Sequence, residues 1–168
     1  MSEKTKLLFD KTIEVRWSDC DANQHMRHTA YSDFCAHTRI GYLEKIGLGA
    51  EWSKQHALGP VLFKEETEYK REAHIGEILR ITLEPGEPTG FTKSIQMVQH
   101  LYKESGELGA SHRCVVAWMD LKKRKITELP ASIQKDFLLW LCCISLLASS
   151  LLNKASKGTE YAAAIYWC

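Results

Sequence analysis

The stretch that decides the fold is Val15-Arg16-Trp17-Ser18-Asp19-Cys20-Asp21-Ala22-Asn23-Gln24-His25-Met26-Arg27-His28-Thr29-Ala30-Tyr31. An alternating strand pattern leads into it, its polar centre carries two aspartates and two histidines, and a helical pattern follows. A carboxylate just before a helix start lies beside backbone N–H groups that have no partner inside the helix and that favour negative charge. The segment therefore predicts both a base and a place to stabilise a developing oxyanion.

The spacing of apolar residues differs at the two ends of this segment. In Thr12–Trp17, the apolar residues Ile13, Val15 and Trp17 alternate with polar ones, which predicts a half-buried strand. From Thr29 to Ile46 the apolar residues recur at helical spacing, which predicts the longest helix of the chain.

Three residues mark the details of that predicted helix. Thr29 is a suitable N-cap, and Gly47 is a suitable stop just beyond the last turn. Gly41 lies inside the helix, where glycine costs about 1 kcal/mol relative to alanine. We therefore expect another backbone to approach closely at Gly41.

The middle of the chain reads mainly as strands. After a short helical piece at Ala50–His56, Gly59-Pro60 predicts a break. Turn residues then separate four predicted strands, which are Val61–Arg71, Glu77–Leu83, Phe91–Tyr102 and Leu108–Met119. The last is apolar on both faces, as expected of a central strand. This order predicts an α+β domain with a mostly antiparallel sheet on one long helix.

Composition excludes several classes of protein. The 168 residues include 22 basic and 21 acidic ones, and a net charge of +1 gives no reason to expect a nucleic-acid partner. The first residues lack the apolar run of a signal peptide, so we expect a cytoplasmic protein. Six cysteines without paired metal-site spacing are expected to be reduced thiols.

Two late segments have a biased composition. Lys122-Lys123-Arg124-Lys125 is interpreted as a solvated turn, with a patch for a phosphorylated ligand as the alternative. Residues 137–152 are apolar nearly all round, and as a helix these sixteen residues would span about 24 Å, short of a membrane crossing. We predict one domain at 1–138 and an apolar helical extension at 139–168, buried against protein. A non-native extension and a segment in contact with a membrane are the alternatives.

Among the polar residues of the opening stretch, Asp21 is the strongest candidate for chemistry, although a carboxylate in such a loop is often only a cap or turn residue. His25 and His28 are candidate metal ligands, but a third protein ligand is not evident, so we expect no metal. Cys20 is expected to be a small packed residue rather than a nucleophile, because nothing holds a base against its sulfur.

The chain resembles the 4-hydroxybenzoyl-CoA thioesterase-like family of hot-dog-fold acyl-CoA thioesterases. The residues that carry the resemblance form a strand, an Asp-x-Asp pair, a histidine and a helix, and they are Asp19, Asp21, His25, Met26, Tyr31 and Arg39. Softer matches are Glu68–Arg71 with Gly76-Glu77, and Asp120-Leu121 with Leu129-Pro130. The resemblance covers about residues 8–138. Some members have Gly and Asn where this chain has Gln24 and His28.

The resemblance implies a curved antiparallel sheet of about five to six strands around a central helix. It also implies a homodimer, or a dimer of dimers (a homotetramer), with two acyl-CoA sites at the interface. Asp21 inherits the catalytic role, either as a nucleophile or as a general base. Backbone N–H groups around His28–Tyr31 would stabilise the thioester oxygen. Asp19, His25, His28, Thr29 and Tyr31 are implied to support the site or bind substrate.

The predicted activity is therefore hydrolysis of an acyl-CoA or acyl carrier protein thioester to a free acid and a thiol. No cofactor is expected beyond the coenzyme A of the substrate, and no membrane partner is expected. One alternative is a hot-dog hydratase or dehydratase, which commonly has four residues between its Asp and His, whereas only three separate Asp21 from His25. The other alternative is a non-catalytic acyl-CoA-binding protein.

Overall fold

A computed structural model describes residues 7–87, 89 and 93–130 of the chain. Within this part there are two α-helices, α1 (His28–Lys45) and α2 (Ala50–His56). The six strands are β1 (Phe9–Glu14), β2 (Leu58–Tyr69), β3 (Ile78–Pro85), β4 (Ser94–Lys103), β5 (Leu108–Asp120) and β6 (Lys125–Thr127). A 3-10 turn, Trp17–Asp19, lies between β1 and α1. The predicted helical extension at 139–168 falls outside the described residues.

The strands form one antiparallel sheet in the order β1-β3-β4-β5-β2, and β6 pairs with the end of β5. Helix α1 packs against β1 and β3, and its side chains also reach residues of β4 and β5. The α+β arrangement of one long helix on an antiparallel sheet is therefore confirmed.

Strand β5 is central, as its two-sided apolar pattern predicts. It lies between β4 and β2, and most of its residues are buried. Buried side chains on both faces include Cys114, Val116 and Ala117. Its observed bounds differ from the predicted ones by a single residue, because this strand is long and ends at clear turns.

Helix α1 also follows its predicted pattern. Tyr31, Phe34 and Tyr42 are among the residues that it buries. Gly47 has φ +78°, the left-handed conformation that ends a helix after Lys45. Ile46 was predicted to lie on the buried face but is 36% exposed, since it follows the last turn.

Two predictions about helix α1 need correction. Arg27 rather than Thr29 is the N-cap, and no side chain caps the helix. At Gly41 the close neighbour is not a backbone but the ring of Phe9, whose Cε1 would lie 3.3 Å from an added Cβ.

The prediction that Trp17 lies on the inner face of the first strand is wrong. Strand β1 ends at Glu14, Val15 remains fully buried, and the Trp17 side chain is 82% exposed. The cause is Asp19, whose carboxylate accepts hydrogen bonds from the Arg16 backbone N–H and guanidinium and so closes a 3-10 turn. A turn residue no longer follows the alternation of the strand before it.

The predicted break at Gly59-Pro60 is also wrong, because both residues lie inside β2. Within the described residues β2 pairs only with β5, so it is an edge strand. Proline, which lacks a backbone N–H, is tolerated on such a strand because one side of its backbone has no sheet partner.

In the basic run, Lys122–Arg124 lie in the exposed turn between β5 and β6, and the exposed Lys125 begins β6. One carboxylate oxygen of Asp120 accepts the backbone N–H groups of Lys122 and Lys123 at 3.0 and 2.8 Å. This agrees with the interpretation as a solvated turn. Among the residues that the structure describes, no helix has the length and hydropathy needed to cross a membrane.

Candidate active site

The candidate site is built on a tight turn at Asp21–His25. Cys20 and Met26 form an antiparallel bridge across its base. The Asp21 N–H donates to the His25 carbonyl at 2.9 Å, and the Gln24 N–H donates to the Asp21 carbonyl at 3.0 Å. Gln24 has φ +64°, a conformation that glycine adopts more easily than other residues.

The Asp21 side chain is exposed at the start of this turn. One carboxylate oxygen accepts the Asn23 N–H at 2.8 Å, so Asp21 does serve as a turn residue. Among the described residues, no group donates a hydrogen bond to its second oxygen. The turn thus holds one oxygen of the carboxylate, and the other oxygen has no hydrogen-bond donor among the described residues.

Asp19 has the opposite surroundings. It is 2% exposed, and its carboxylate accepts bonds of 2.8–2.9 Å from the backbone N–H, Nε and NH2 groups of Arg16. These hydrogen bonds lower the pKa of Asp19 below its ordinary value of 3.8. The Asp19 carbonyl also accepts the Arg27 N–H at 2.8 Å. Asp19 therefore joins the end of the first strand to the start of α1.

Helix α1 begins at His28, seven residues after Asp21. The N–H of Arg27 bonds to Asp19, and that of Ala30 bonds back to Arg27. His28 and Thr29 are exposed, and their N–H groups have no backbone acceptor among the described residues. Free N–H groups at a helix start attract negative charge.

Tyr31 was predicted to support the site, and it is a buried residue. It is 4% exposed and meets the Tyr69 ring edge-on at 5.0 Å. Burial raises the pKa of the Tyr31 phenol above its ordinary value. Tyr31 therefore packs the first turn of α1 against β2.

His25 belongs to a cluster of polar side chains that the sequence analysis did not identify. Its Nε2 lies 3.1 Å from a Glu72 carboxylate oxygen, and His74 Nε2 lies 3.7 Å from the other oxygen. The sequence analysis singles out neither Glu72 nor His74. No local signal links them to His25, because nearly fifty residues separate the two segments and the pairing of β1 with β3 brings them together.

A groove of about 510 Å³ lies beside this region, and its lining mixes apolar and charged side chains, namely Ile13, Glu14, Arg16, Asp19, Asp33, Phe34 and His37. The Arg16 guanidinium lies over the Phe34 ring at 5.7 Å. Asp21 is not among the lining residues.

A comparison with protein families decides the assignment. The sequence pattern of the thioesterase-like superfamily matches residues 15–137, which include the whole Asp21 turn and the start of α1. The chain belongs to the thioesterase-like superfamily. The predicted resemblance is confirmed, and with it the enzyme class of this superfamily, thioester hydrolase.

Solved structures agree with the fold of the thioesterase-like superfamily. A Staphylococcus aureus protein in complex with CoA is 20% identical, with a TM-score of 0.73 over 83% of this chain and 87% of its own. A 1,4-dihydroxy-2-naphthoyl-CoA thioesterase from Synechocystis is 18% identical, with a TM-score of 0.67 over 76% and 93%. A gentisyl-coenzyme A thioesterase is 18% identical, with a TM-score of 0.66 over 74% and 98%. A search of curated proteins found no match.

Proposed function

We propose that this chain hydrolyses acyl-CoA thioesters and that the Asp21 carboxylate is the catalytic group. The observation that carries the proposal is the setting of Asp21 in a member of the thioesterase-like superfamily. Its carboxylate is exposed and is oriented by the Asn23 N–H. It precedes a helix start where the N–H groups of His28 and Thr29 have no backbone acceptor within the described ranges.

Two reaction routes use this carboxylate. As a nucleophile, Asp21 attacks the thioester carbonyl, the CoA thiolate leaves, and water hydrolyses the resulting anhydride to free acid and aspartate. As a general base, Asp21 takes a proton from water, which then attacks the carbonyl, and the thiol leaves with a proton. Both routes form an oxyanion, which the N–H groups of His28 and Thr29 would stabilise.

The neighbouring residues would hold the geometry. Asp19 fixes the turn to Arg16 and to the start of α1 through its hydrogen bonds. Tyr31 packs the first helical turn against Tyr69. His28 and Thr29 are exposed at the helix start and are our candidates for contacts with the substrate.

The substrate carrier is proposed to be coenzyme A. One structural neighbour is described in complex with CoA, and two others are named as thioesterases of aromatic acyl-CoAs. Thioesters of acyl carrier protein contain the same reacting group and are the alternative class of substrate. Parallel assays with one acyl group on both carriers would separate them, and we expect faster turnover of the CoA thioester.

The direct test is release of free thiol from a panel of short, long, branched and aromatic acyl-CoAs. We expect turnover of at least one class, with one acid and one thiol formed for each thioester consumed. An enoyl-CoA should keep its conjugated absorbance until hydrolysis. Hydration of the double bond without thiol release would replace the proposal by a hydratase. Tight acyl-CoA binding with no turnover would replace it by a binding protein.

A further inference from the structure

Three metal-binding side chains meet beside the Asp21 turn. They are His25, Glu72 and His74, and one ligand atom from each lies within 4.8 Å of the other two. Glu72 lies between the histidines, with one oxygen 3.1 Å from His25 Nε2 and the other 3.7 Å from His74 Nε2. The two imidazole rings meet edge to face at 5.0 Å.

The backbone holds the two segments together without help from these side chains. His25 and His74 form an antiparallel bridge, and the Met26 N–H donates to the Ala73 carbonyl at 2.7 Å. The Gly76 N–H donates to the Val15 carbonyl at 2.8 Å. The relative position of the two histidines is therefore set by the fold, as a preorganised ligand pair requires.

The second nitrogen of His74 has a partner of the kind that metal ligands use. His74 Nδ1 faces the Gln24 carbonyl oxygen at 3.4 Å. A carbonyl can only accept, so Nδ1 carries the proton and Nε2 keeps its lone pair. Metal-binding histidines commonly donate their other N–H to a carbonyl or carboxylate, which fixes the tautomer and the ring orientation.

We propose that His25 Nε2, His74 Nε2 and a Glu72 oxygen bind one divalent transition-metal ion, with Zn²⁺ as the best match. Ligand atoms about 2.1 Å from a tetrahedral Zn²⁺ lie about 3.4 Å apart. The Glu72 carboxylate lies between the two nitrogens, and each of its oxygens is near that spacing from one of them, at 3.1 Å from His25 Nε2 and 3.7 Å from His74 Nε2. The three ligand atoms lie within 4.8 Å of one another. Two imidazoles and one carboxylate also leave a fourth position open for water.

The donor set decides between classes of ion. Imidazole nitrogen suits Zn²⁺ and its transition-metal neighbours, whereas Mg²⁺ and Ca²⁺ prefer an all-oxygen shell. The three side chains are 39–58% exposed, so an ion can enter from solvent. The sequence-based expectation of no metal depended on the lack of a third ligand beside His25 and His28, and the fold brings His74 and Glu72 to His25.

The metal would tie the turn that carries Asp21 to the segment of Glu72 and His74. The Asp21 N–H bonds to the carbonyl of His25, so a ligand at the His25 ring restrains the turn. An ion that binds only the folded protein also raises its melting temperature. Neither effect depends on thioester hydrolysis, and the inference stands or fails apart from the proposed function.

The experiment is a calorimetric titration of ZnCl₂ into the full chain, freed of any affinity tag and stripped with a chelator. The variants are His74→Ala and Glu72→Gln, and His28→Ala is the control because it removes an exposed histidine of the same stretch that lies outside the cluster. Thermal unfolding with and without Zn²⁺ is measured on all four proteins, and MgCl₂ is titrated in parallel. Co²⁺ replaces Zn²⁺ for absorption spectra.

We expect one Zn²⁺ to bind wild type and His28→Ala equally and to raise their melting temperatures, with no binding of Mg²⁺. Affinity should fall at least about tenfold in His74→Ala and in Glu72→Gln, as for loss of a ligand or its partner. Glu72→Gln keeps the shape of the side chain, so this variant still tests the metal site if His74→Ala does not fold. Equal affinity in wild type and both variants would overturn the proposal. So would a Co²⁺ spectrum dominated by thiolate charge transfer, because the site contains no cysteine.

Discussion

Two aspartates only two residues apart have different surroundings, and these determine their roles. Asp19 is buried, and its carboxylate accepts hydrogen bonds from Arg16. Asp21 is exposed, and one of its oxygens has no donor in the described part of the chain. Sequence reasoning could identify the Asp-x-Asp pair and favour Asp21 through family resemblance. It could not find Glu72 and His74, because their link to His25 exists only after β1 pairs with β3.

At the scale of single residues, we predict that Asp19→Asn lowers the free energy of unfolding. Asparagine keeps one acceptor but turns an N–H₂ group toward the Arg16 guanidinium, so bonds of 2.8 and 2.9 Å are lost or strained. The expected loss is about 2 kcal/mol in the free energy of unfolding at pH 7, measured by urea denaturation. As a control, Asp10→Asn breaks an exposed ion pair with Arg80 and should cost about 0.5 kcal/mol or less.

The same variant should reveal a pH dependence. The pKa of Asp19 is lowered in the folded chain, so its stabilisation is fully present above the ordinary value of 3.8 and is lost as pH falls through the folded pKa. The difference between wild type and Asp19→Asn should therefore shrink below pH 3.8. A difference that does not change with pH would contradict the assigned role of the charge.

At the scale of elements, a buried polar network joins α1 to the sheet. Arg39 donates to Gln99 Oε1 at 2.8 Å and lies 3.3 Å from His112 Nε2. On its other side, His112 Nδ1 lies 2.8 Å from the Thr67 hydroxyl. Since Arg39 can only donate, Nε2 accepts and Nδ1 donates, so the network holds a neutral imidazole.

We predict that this histidine makes the fold sensitive to mild acid. Burial, and secondly the charge of Arg39, lower the pKa of His112 to about 4, while Glu65 opposes the shift. The unfolded chain takes up this proton near pH 6.5, so stability falls as pH drops from about 6.5 towards 4. Between pH 7 and pH 5, wild type should lose about 2 kcal/mol more than His112→Gln in urea unfolding. Parallel pH profiles for the two proteins would contradict this prediction.

Helices and strands with a long, regular pattern of apolar residues were predicted correctly from the sequence. Helix α1 and strand β5 were predicted to within one residue at each end, because both are long and have a sustained period. Trp17 was misplaced because the Arg16–Asp19 contacts overrode the strand alternation. Pro60 was misread because only the sheet order shows that β2 is an edge strand.

At the scale of the whole molecule, β2 presents an uncovered edge. It is twelve residues long and pairs only with β5 in the described part of the chain. Leu62 and Phe63 on this strand are 47% and 57% exposed, and Phe63 lies at a bulge in the pairing with β5. Exposed apolar side chains on a long edge strand are typical of a surface that another chain covers.

We predict that a second copy covers this edge, giving a homodimer of about 38 kDa, twice the chain mass of 19.2 kDa. Light scattering at micromolar concentration measures that mass, and Phe63→Lys should weaken the dimer. Leu121→Lys, which changes an exposed leucine in the β5–β6 turn, should leave it intact. A wild-type mass of one chain, or equal association of Phe63→Lys and wild type, would refute the interface.

The central claim is that the Asp21 carboxylate carries thioester hydrolysis, and the most direct measurement is kcat for thiol release by Asp21→Asn. The change removes the carboxylate but keeps its shape and its acceptor for the Asn23 N–H. We expect kcat to fall by at least about a hundredfold, as for loss of a general base or nucleophile, with an unchanged melting temperature. The control Asp10→Asn, on β1, should keep wild-type kcat. Near-wild-type turnover by folded Asp21→Asn would contradict the account.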